Sequence, residues 1–252
     1  MRRAHEKSGS LSRIHIPDAL APGAQFALPA AAAHHLARVL RAQVGDRVTL
    51  FDAGNEFDAE ITFIDRVGVT VKVGAGRAVD REMPLAVTLV QAVSSGERMD
   101  YTLQKATELG VAAVQPVFSA RSVVRLGAER AERRTLHWQH VLAGACEQCG
   151  RNAVPPVAAP LDYRDWLGTL AAPAEGELRM LMSPRAEVRL ADLPKPAAVM
   201  LLAGPEGGFA EDEVELALQR GFRAIRLGPR VLRTETAALA MLAAINTLWG
   251  DF

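Results

Sequence analysis

The residues best suited to chemistry lie near the C-terminus of this 252-residue chain. The apolar run Val199–Ala203 breaks into Gly204-Pro205-Glu206-Gly207-Gly208. The acidic segment Glu211-Asp212-Glu213 then opens a short amphipathic helix that stops at Gly221. A second short apolar run leads into Leu227-Gly228-Pro229-Arg230-Val231-Leu232-Arg233-Thr234-Glu235-Thr236-Ala237 and a long Ala/Leu-rich segment. Two glycine-bearing loops thus follow two strands and enter two helices, and in an open α/β sheet ligands bind beyond the carboxyl ends of the strands. Glycines there let the backbone approach a ligand closely and present free N–H donors. The first loop lacks the Lys-Ser/Thr pair of a phosphate loop. Its acidic surroundings, Glu206 with Glu211 to Glu213, would repel an anion, so a neutral or cationic ligand suits it better than a triphosphate. Two tight turns with no function are the bland alternative, and the parallel repetition of the arrangement weighs against it.

A second set of reactive residues, His137, His140, Cys146 and Cys149, resembles a list of metal ligands. The pattern from Glu129 to Cys149 is helical, however, with Leu142, Cys146 and Cys149 on one face. At 1.5 Å rise per residue those ligands would spread over roughly 18 Å, whereas tetrahedral zinc needs its donors within about 2.0–2.3 Å of one point. The cysteines are expected to be buried rather than ligating, and no metal is expected.

Composition bounds the rest. Hydrophobic residues make up 49% and charged residues 23%, with a net charge of +0. That is an ordinary globular balance, and any nucleic-acid site must come from local arginines and lysines. No apolar run approaches the ~20 residues that span a bilayer. The charged start, residues 1–10, lacks a signal-peptide core and reads as a disordered tail. Two cysteines and no export signal point to a reducing cytoplasm.

The elements that must position the loops come in two rhythms. Alternation over Leu11–Pro17, a short helix over Ala30–Arg41 with Leu36, Val39 and Leu40 inward, and strands at Val48–Phe51, Phe57–Ile64 and Val67–Val73 suggest a small β-barrel or sandwich over residues 11–78. Gly74–Met83 reads as a linker. From Pro84 onward strands alternate with helices: Leu85–Val93, Glu97–Leu109 with Gly110 closing it, Val111–Phe118, Glu129–Gln148, Asp162–Leu170, Leu178–Met182 and Val199–Ala203. That order implies a mostly parallel sheet. The segment Thr234–Trp249 is apolar almost all round and so must be buried, inside one subunit or between two.

The two loops, with Gln104-Lys105-Ala106-Thr107-Glu108-Leu109-Gly110, Glu147-Gln148-Cys149-Gly150-Arg151 and Arg13-Ile14-His15, resemble the RsmE family of bacterial ribosomal RNA uridine-N3 methyltransferases, in the SPOUT superfamily. The likeness runs from Arg13 to Asp251. It implies an α/β protein with a small N-terminal PUA-like RNA-binding β-barrel (11–78) and a C-terminal SPOUT domain (82–252) with a mostly parallel sheet and a deep trefoil knot. It further implies S-adenosyl-L-methionine as methyl donor, N3 of a uridine at position 1498 of 16S ribosomal RNA in the small ribosomal subunit as acceptor, and a homodimer. The sulfonium of that donor suits acidic, phosphate-free loops. A non-catalytic RNA-binding or ribosome-assembly module is the alternative. One departure is Ala210, where the family often carries a Ser or Thr N-cap, a loss of about 1 kcal/mol of capping.

N3 of uracil carries a proton at neutral pH, so the reaction needs a base or a cation that stabilises the deprotonated base. Arg233 and Arg230 are the candidates for that stabilisation, and Glu206 for catalysis or for ordering the loops. Met182, Leu202, Gly204, Gly207, Leu227, Gly228, Leu232, Thr236 and Ala237 are the candidate cofactor-binding residues. Arg13, Arg38, Arg41, Lys105, Arg121, Arg125 and Arg151 are the candidate RNA contacts.

Overall fold

The computed structural model of the protein describes residues 12–66, 68–122 and 127–252. The N-terminal tail and Arg125 lie outside them. The chain divides into two compact units, one of residues up to Glu82 with Cys146–Val154, the other of Met83–Ala145 with Pro155–Phe252. The first unit therefore includes a short stretch far along the chain, which a division by sequence position does not contain.

In the first unit, β1 (Arg13–His15), β2 (Gln25–Ala27), β3 (Arg47–Phe51), β4 (Asn55–Ile64) and β5 (Val69–Ala78) form one sheet in the order β1-β3-β4-β5-β2. β1 runs parallel to β3 and the other pairs are antiparallel. Period-two alternation turns Phe57, Ala59 and Ile61 of β4 and Val69, Val71 and Val73 of β5 into one core, joined by Ile14, Val48 and Leu50. Each valine, leucine, isoleucine or phenylalanine among them contributes about 1.5–3 kcal/mol on full burial.

β5 corrects the expected linker, because Gly74 to Ala78 continue the strand. Gly76 lies against the Phe57 ring, where a Cβ would come within 2.5 Å, and a bulge between Phe57 and Ala59 accommodates the approach. Further along, Arg77 stands directly across from Glu56 and pairs with it at 2.8 Å. A second correction concerns the short helix. α1 (Ala30–His34) passes into a π-helical turn, His35–Val39. The wider turn changes which side chains face inward: Leu36 is buried, but Val39 is 61% exposed.

The second unit holds β6 (Ala86–Ala92), α2 (Glu97–Glu108), β7 (Ala113–Phe118), β8 (Leu161–Asp162), α4 (Tyr163–Thr169), β9 (Glu177–Met182), β10 (Ala198–Ala203), α5 (Glu211–Gln219), β11 (Phe222–Ile225) and α6 (Thr234–Trp249). It also holds all but the last turn of α3 (Ala128–Cys149). Its six strands are all parallel, in the order β11-β9-β10-β6-β7-β8. Val90, Leu181 and Leu202 pack with Tyr163, Trp166 and Phe222 on one side of the sheet. Helix ends follow local chemistry. Gly110 has φ 87° and closes α2, with the Val111 N–H donating to Ala106 O and the Gly110 N–H to Thr107 O, a Schellman arrangement.

α6 is less enclosed than its composition suggested. Ala238, Met241, Leu242 and Ile245 are buried, while Leu239, Ala240, Ala243 and Ala244 on the opposite side are only half-buried and Leu248 is 48% exposed. Among the described residues no helix is long and apolar enough to cross a membrane.

Candidate functional site

Because all six strands are parallel, their carboxyl ends share one edge. β10 lies between β9 and β6, so the segments that follow β9, β10 and β11 emerge side by side. They enclose a cleft of about 910 Å³ within the second unit. One wall is the loop Gly204–Phe209, another is Leu227–Glu235 with the first turn of α6, and the third is Met182–Arg185.

Three polar devices set the first loop. Glu206 Oε1 accepts from the Ser95 N–H and hydroxyl, each at 3.2 Å, and from the Arg98 guanidinium at 3.0 Å. Burial pushes the Glu206 carboxyl up, but hydrogen bonds from its own N–H, the Ser95 N–H and Arg98 outweigh burial and hold it below the ordinary carboxylate range. Glu213, 2% exposed, accepts from the Ala210 N–H at 2.9 Å and the Ala120 N–H at 2.7 Å. Its bond to Ala210 is the half of a capping box that needs no hydroxyl, so the helix start is held although Ala210 cannot cap it. Arg121 donates to Gly207 O at 3.0 Å.

These contacts revise the charge argument. Of the acids expected to repel an anion, Glu206 is paired with Arg98, Asp212 with Arg164, and Glu213 is turned inward onto backbone N–H groups. Only Glu211 of that set lines the cleft without such a partner, joined by Glu215 and Glu235 from elsewhere. Among the lining residues there is no lysine, and Arg98, Arg121, Arg185, Arg230 and Arg233 contribute guanidinium groups. The site thus offers glycine backbone, apolar side chains and both signs of charge.

Of the expected cofactor residues, Met182, Gly204, Gly207, Leu227, Gly228, Leu232 and Ala237 line the cleft. Two do not: Leu202 is fully buried in the core below, and Thr236 faces outward on the first turn of α6. Arg230 and Arg233 line the cleft and are exposed, with no ion-pair partner among the described residues. Gly208 and Gly228 have φ 68° and 85°, the left-handed region that favours glycine.

The expected RNA contacts separate into two groups. Arg38 and Arg41 are exposed. Arg121 lies at the cleft and Lys105 pairs with Glu108 at 2.6 Å. Arg13 and Arg151 are engaged within the protein. Arg13 pairs with Glu56, donates to Asn152 Oδ1 at 2.9 Å, and lies over the Phe51 ring at 4.6 Å. Arg151 is 6% exposed and pairs with Glu82. Both act inside the first unit, where their charge is already matched.

Sequence reasoning passed over Gln91, Ser95, Arg98 and Thr234. The usable signal was position: Gln91 to Arg98 follow the carboxyl end of β6, the strand beside β10, where the same rule that selected the two loops applies.

An all-parallel sheet with a glycine-walled cleft at its carboxyl edge, in a chain that also carries a small mixed sheet, falls in an RNA-modifying class in the comparison with known families. Residues 81–246 match the RNA methyltransferase domain family, and residues 28–74 match the RNA methyltransferase PUA domain family. The ribosomal RNA small subunit methyltransferase E of Buchnera aphidicola is 33% identical over 96% of this chain and 98% of its own length. A crystal structure of the Neisseria gonorrhoeae enzyme of that name, bound to S-adenosyl methionine, is 41% identical with a TM-score of 0.87, covering 96% of this chain and 99% of that one. A putative methyltransferase from Legionella pneumophila, in complex with the same cofactor, is 36% identical with a TM-score of 0.91 over 97% and 100% of the two chains. This chain belongs to the ribosomal RNA small subunit methyltransferase E family.

Proposed function

We propose that this protein transfers a methyl group from S-adenosylmethionine to N3 of a uridine, position 1498, in 16S ribosomal RNA of the small subunit. The observation that carries this reading is the cleft walled by both glycine loops, in a chain whose full-length relatives include cofactor-bound methyltransferases. The residues present fit the cofactor: close-approach glycines at 204, 207 and 228, apolar Met182, Leu227 and Leu232, and the carboxylates of Glu211, Glu215 and Glu235 as counter-charges for a sulfonium among the guanidinium groups. When bound, S-adenosylmethionine supplies an electrophilic methyl group on sulfur.

The chain's own part is to hold the base and manage its N3 proton. Arg233 and Arg230 have guanidinium groups free to stabilise the negative charge that develops on the uracil carbonyl oxygens. Glu206 is a poor proton acceptor, because its carboxyl is held below the ordinary range and its Oε1 is occupied by three donors. It is an anchor of the loop. Arg38, Arg41 and Arg121 remain the RNA contacts of this reading, with the small first unit as the RNA-binding PUA-like domain. The half-covered apolar face of α6 suits a homodimer, and the trefoil knot and a cytoplasmic location belong to the same reading.

Incubation with unmodified small subunits and methyl-labelled cofactor, followed by nucleoside analysis, tests it. Label in 3-methyluridine is expected. Label in any other nucleoside refutes the assignment, and no label in naked or assembled RNA favours a non-catalytic RNA-binding module.

A further inference from the structure

We propose that Gln91 is a positioning residue: from the end of β6 its amide holds the two cleft loops in register through Gly204 and Thr234. The proposal rests on reading the cleft as the S-adenosylmethionine site. Gln91 is fully buried at the end of β6, where its neighbours Leu89, Val90 and Ala92 are apolar and have no exposure. A polar side chain in such a strand is costly unless its hydrogen bonds are made.

Its donors are used. Nε2 has two N–H groups for three acceptors: one donates to Ala92 O at 3.0 Å, and the other is shared between Thr234 Oγ1 at 3.3 Å and Gly204 O at 3.4 Å. The Thr234 hydroxyl in turn donates to Gly204 O. An amide N–H, a hydroxyl and a carbonyl therefore form a short chain in which each bond polarises the next. Gly204 opens the first loop and Thr234 closes the second, and both line the cleft. The orientation of the amide follows from its neighbours, since the reversed group would set Oε1 against two carbonyl oxygens. Oε1 itself has no hydrogen-bond partner among the described residues. The fold uses the donor half of this side chain, and an apolar residue of equal size would avoid the cost of the acceptor. The donor function is thus the reason for an amide at this position.

Calorimetric titration of S-adenosylmethionine into the unaltered protein, Gln91→Leu and Gln91→Glu tests the proposal. Gln91→Leu is expected to raise Kd about tenfold or more, the equivalent of one to two lost hydrogen bonds, with kcat at saturating cofactor within about threefold of the unaltered protein. Gln91→Glu would place a carboxyl among carbonyl oxygens in a buried site, which raises its pKa. Its neutral form regains an O–H donor, so its Kd is expected to be poor near pH 8 and to recover towards about pH 5.5, relative to the unaltered protein at each pH. If Gln91→Leu does not fold, Thr234→Val must bind more weakly than Thr234→Ser. A Kd within about twofold for Gln91→Leu, or no recovery of Gln91→Glu at low pH, overturns the positioning role. No heat with the unaltered protein overturns the cofactor assignment instead, and the proposal with it.

Discussion

Replacing Glu206 by alanine decides whether that residue anchors the loop or touches the reacting atoms. The side chains of Arg98 and Glu206 are 45% and 23% exposed, so solvent screening limits their ion pair to about 0.5–1 kcal/mol. The two bonds from Ser95, both at 3.2 Å, go to a charged acceptor. Hydrogen bonds to charged groups contribute about 1.5–3 kcal/mol each, and sharing one oxygen keeps this pair near the bottom of that range. Glu206→Ala therefore removes about 2–3 kcal/mol of anchoring, and Arg98→Ala about 0.5–1 kcal/mol. If only the anchored loop binds cofactor, the loss in Kd is at most about 30- to 150-fold for Glu206→Ala and about two- to fivefold for Arg98→Ala. The carboxyl sits below its ordinary value of 4.5, so its contribution is fully present above that value and is lost as pH falls through the lower folded one. The ratio of variant to unaltered Kd should thus be constant from about pH 6 to about pH 9. Calorimetric titration across that range, with steady-state methyl transfer alongside, gives both quantities. An unchanged Kd in Glu206→Ala refutes the anchoring argument, and if kcat has then fallen about a thousandfold, Glu206 acts on the substrate itself.

Arg233→Ala is expected to keep cofactor Kd within about twofold while methyl transfer falls about 10²- to 10³-fold, as for loss of one charge-stabilising donor; a normal rate would remove Arg233 from the mechanism. Gly228→Ala meets no atom within 4 Å but must adopt φ near 85°, so the cost is conformational, about 1–2 kcal/mol, and cofactor binding should weaken without loss of the folded baseline in circular dichroism. Glu56 is 2% exposed and pairs with Arg13, Arg77 and Arg81. Glu56→Ala leaves the largely buried Arg13 without its carboxylate, while Arg77 and Arg81 are about half exposed to solvent, and should cost about 1.5–3 kcal/mol, read as a lower urea midpoint for the first unit. Burial pushes the Glu56 carboxyl up, but bonds from Arg81, Arg13 and Arg77 lower it further, so the unaltered protein keeps this stabilisation above pH 4.5 and loses it on acidification.

What the sequence determined by itself was local. The period of the apolar residues marked Val69, Val71 and Val73 as one face of a strand, and Met99, Leu103 and Ala106 as one face of a helix, and both faces are buried. Gly110 and Gly221, with φ 87° and 84°, end their helices because no other residue type adopts that conformation as freely. The two glycine loops were legible for the same reason, and the strand-to-helix order placed them at the carboxyl edge of a parallel sheet.

Tertiary structure decided the partners. Glu206, Asp212 and Glu213 are equally acidic in the sequence, yet one meets Arg98, another Arg164, and the third two backbone N–H groups. Arg13 and Arg151 look like surface cations until Glu56 and Glu82 arrive from elsewhere in the chain. Gly74 to Ala78 lack the side chains that announce a strand, and the ladder to β4 with the Arg77–Glu56 pair supplies what propensity does not. Gln91 shows the limit most clearly. Its role depends on Gly204 and Thr234, more than a hundred residues away, whose carbonyl and hydroxyl it meets only when β10 and α6 close around β6. Hydrogen bonds act over about 3 Å, and no local pattern encodes which distant groups will come that near.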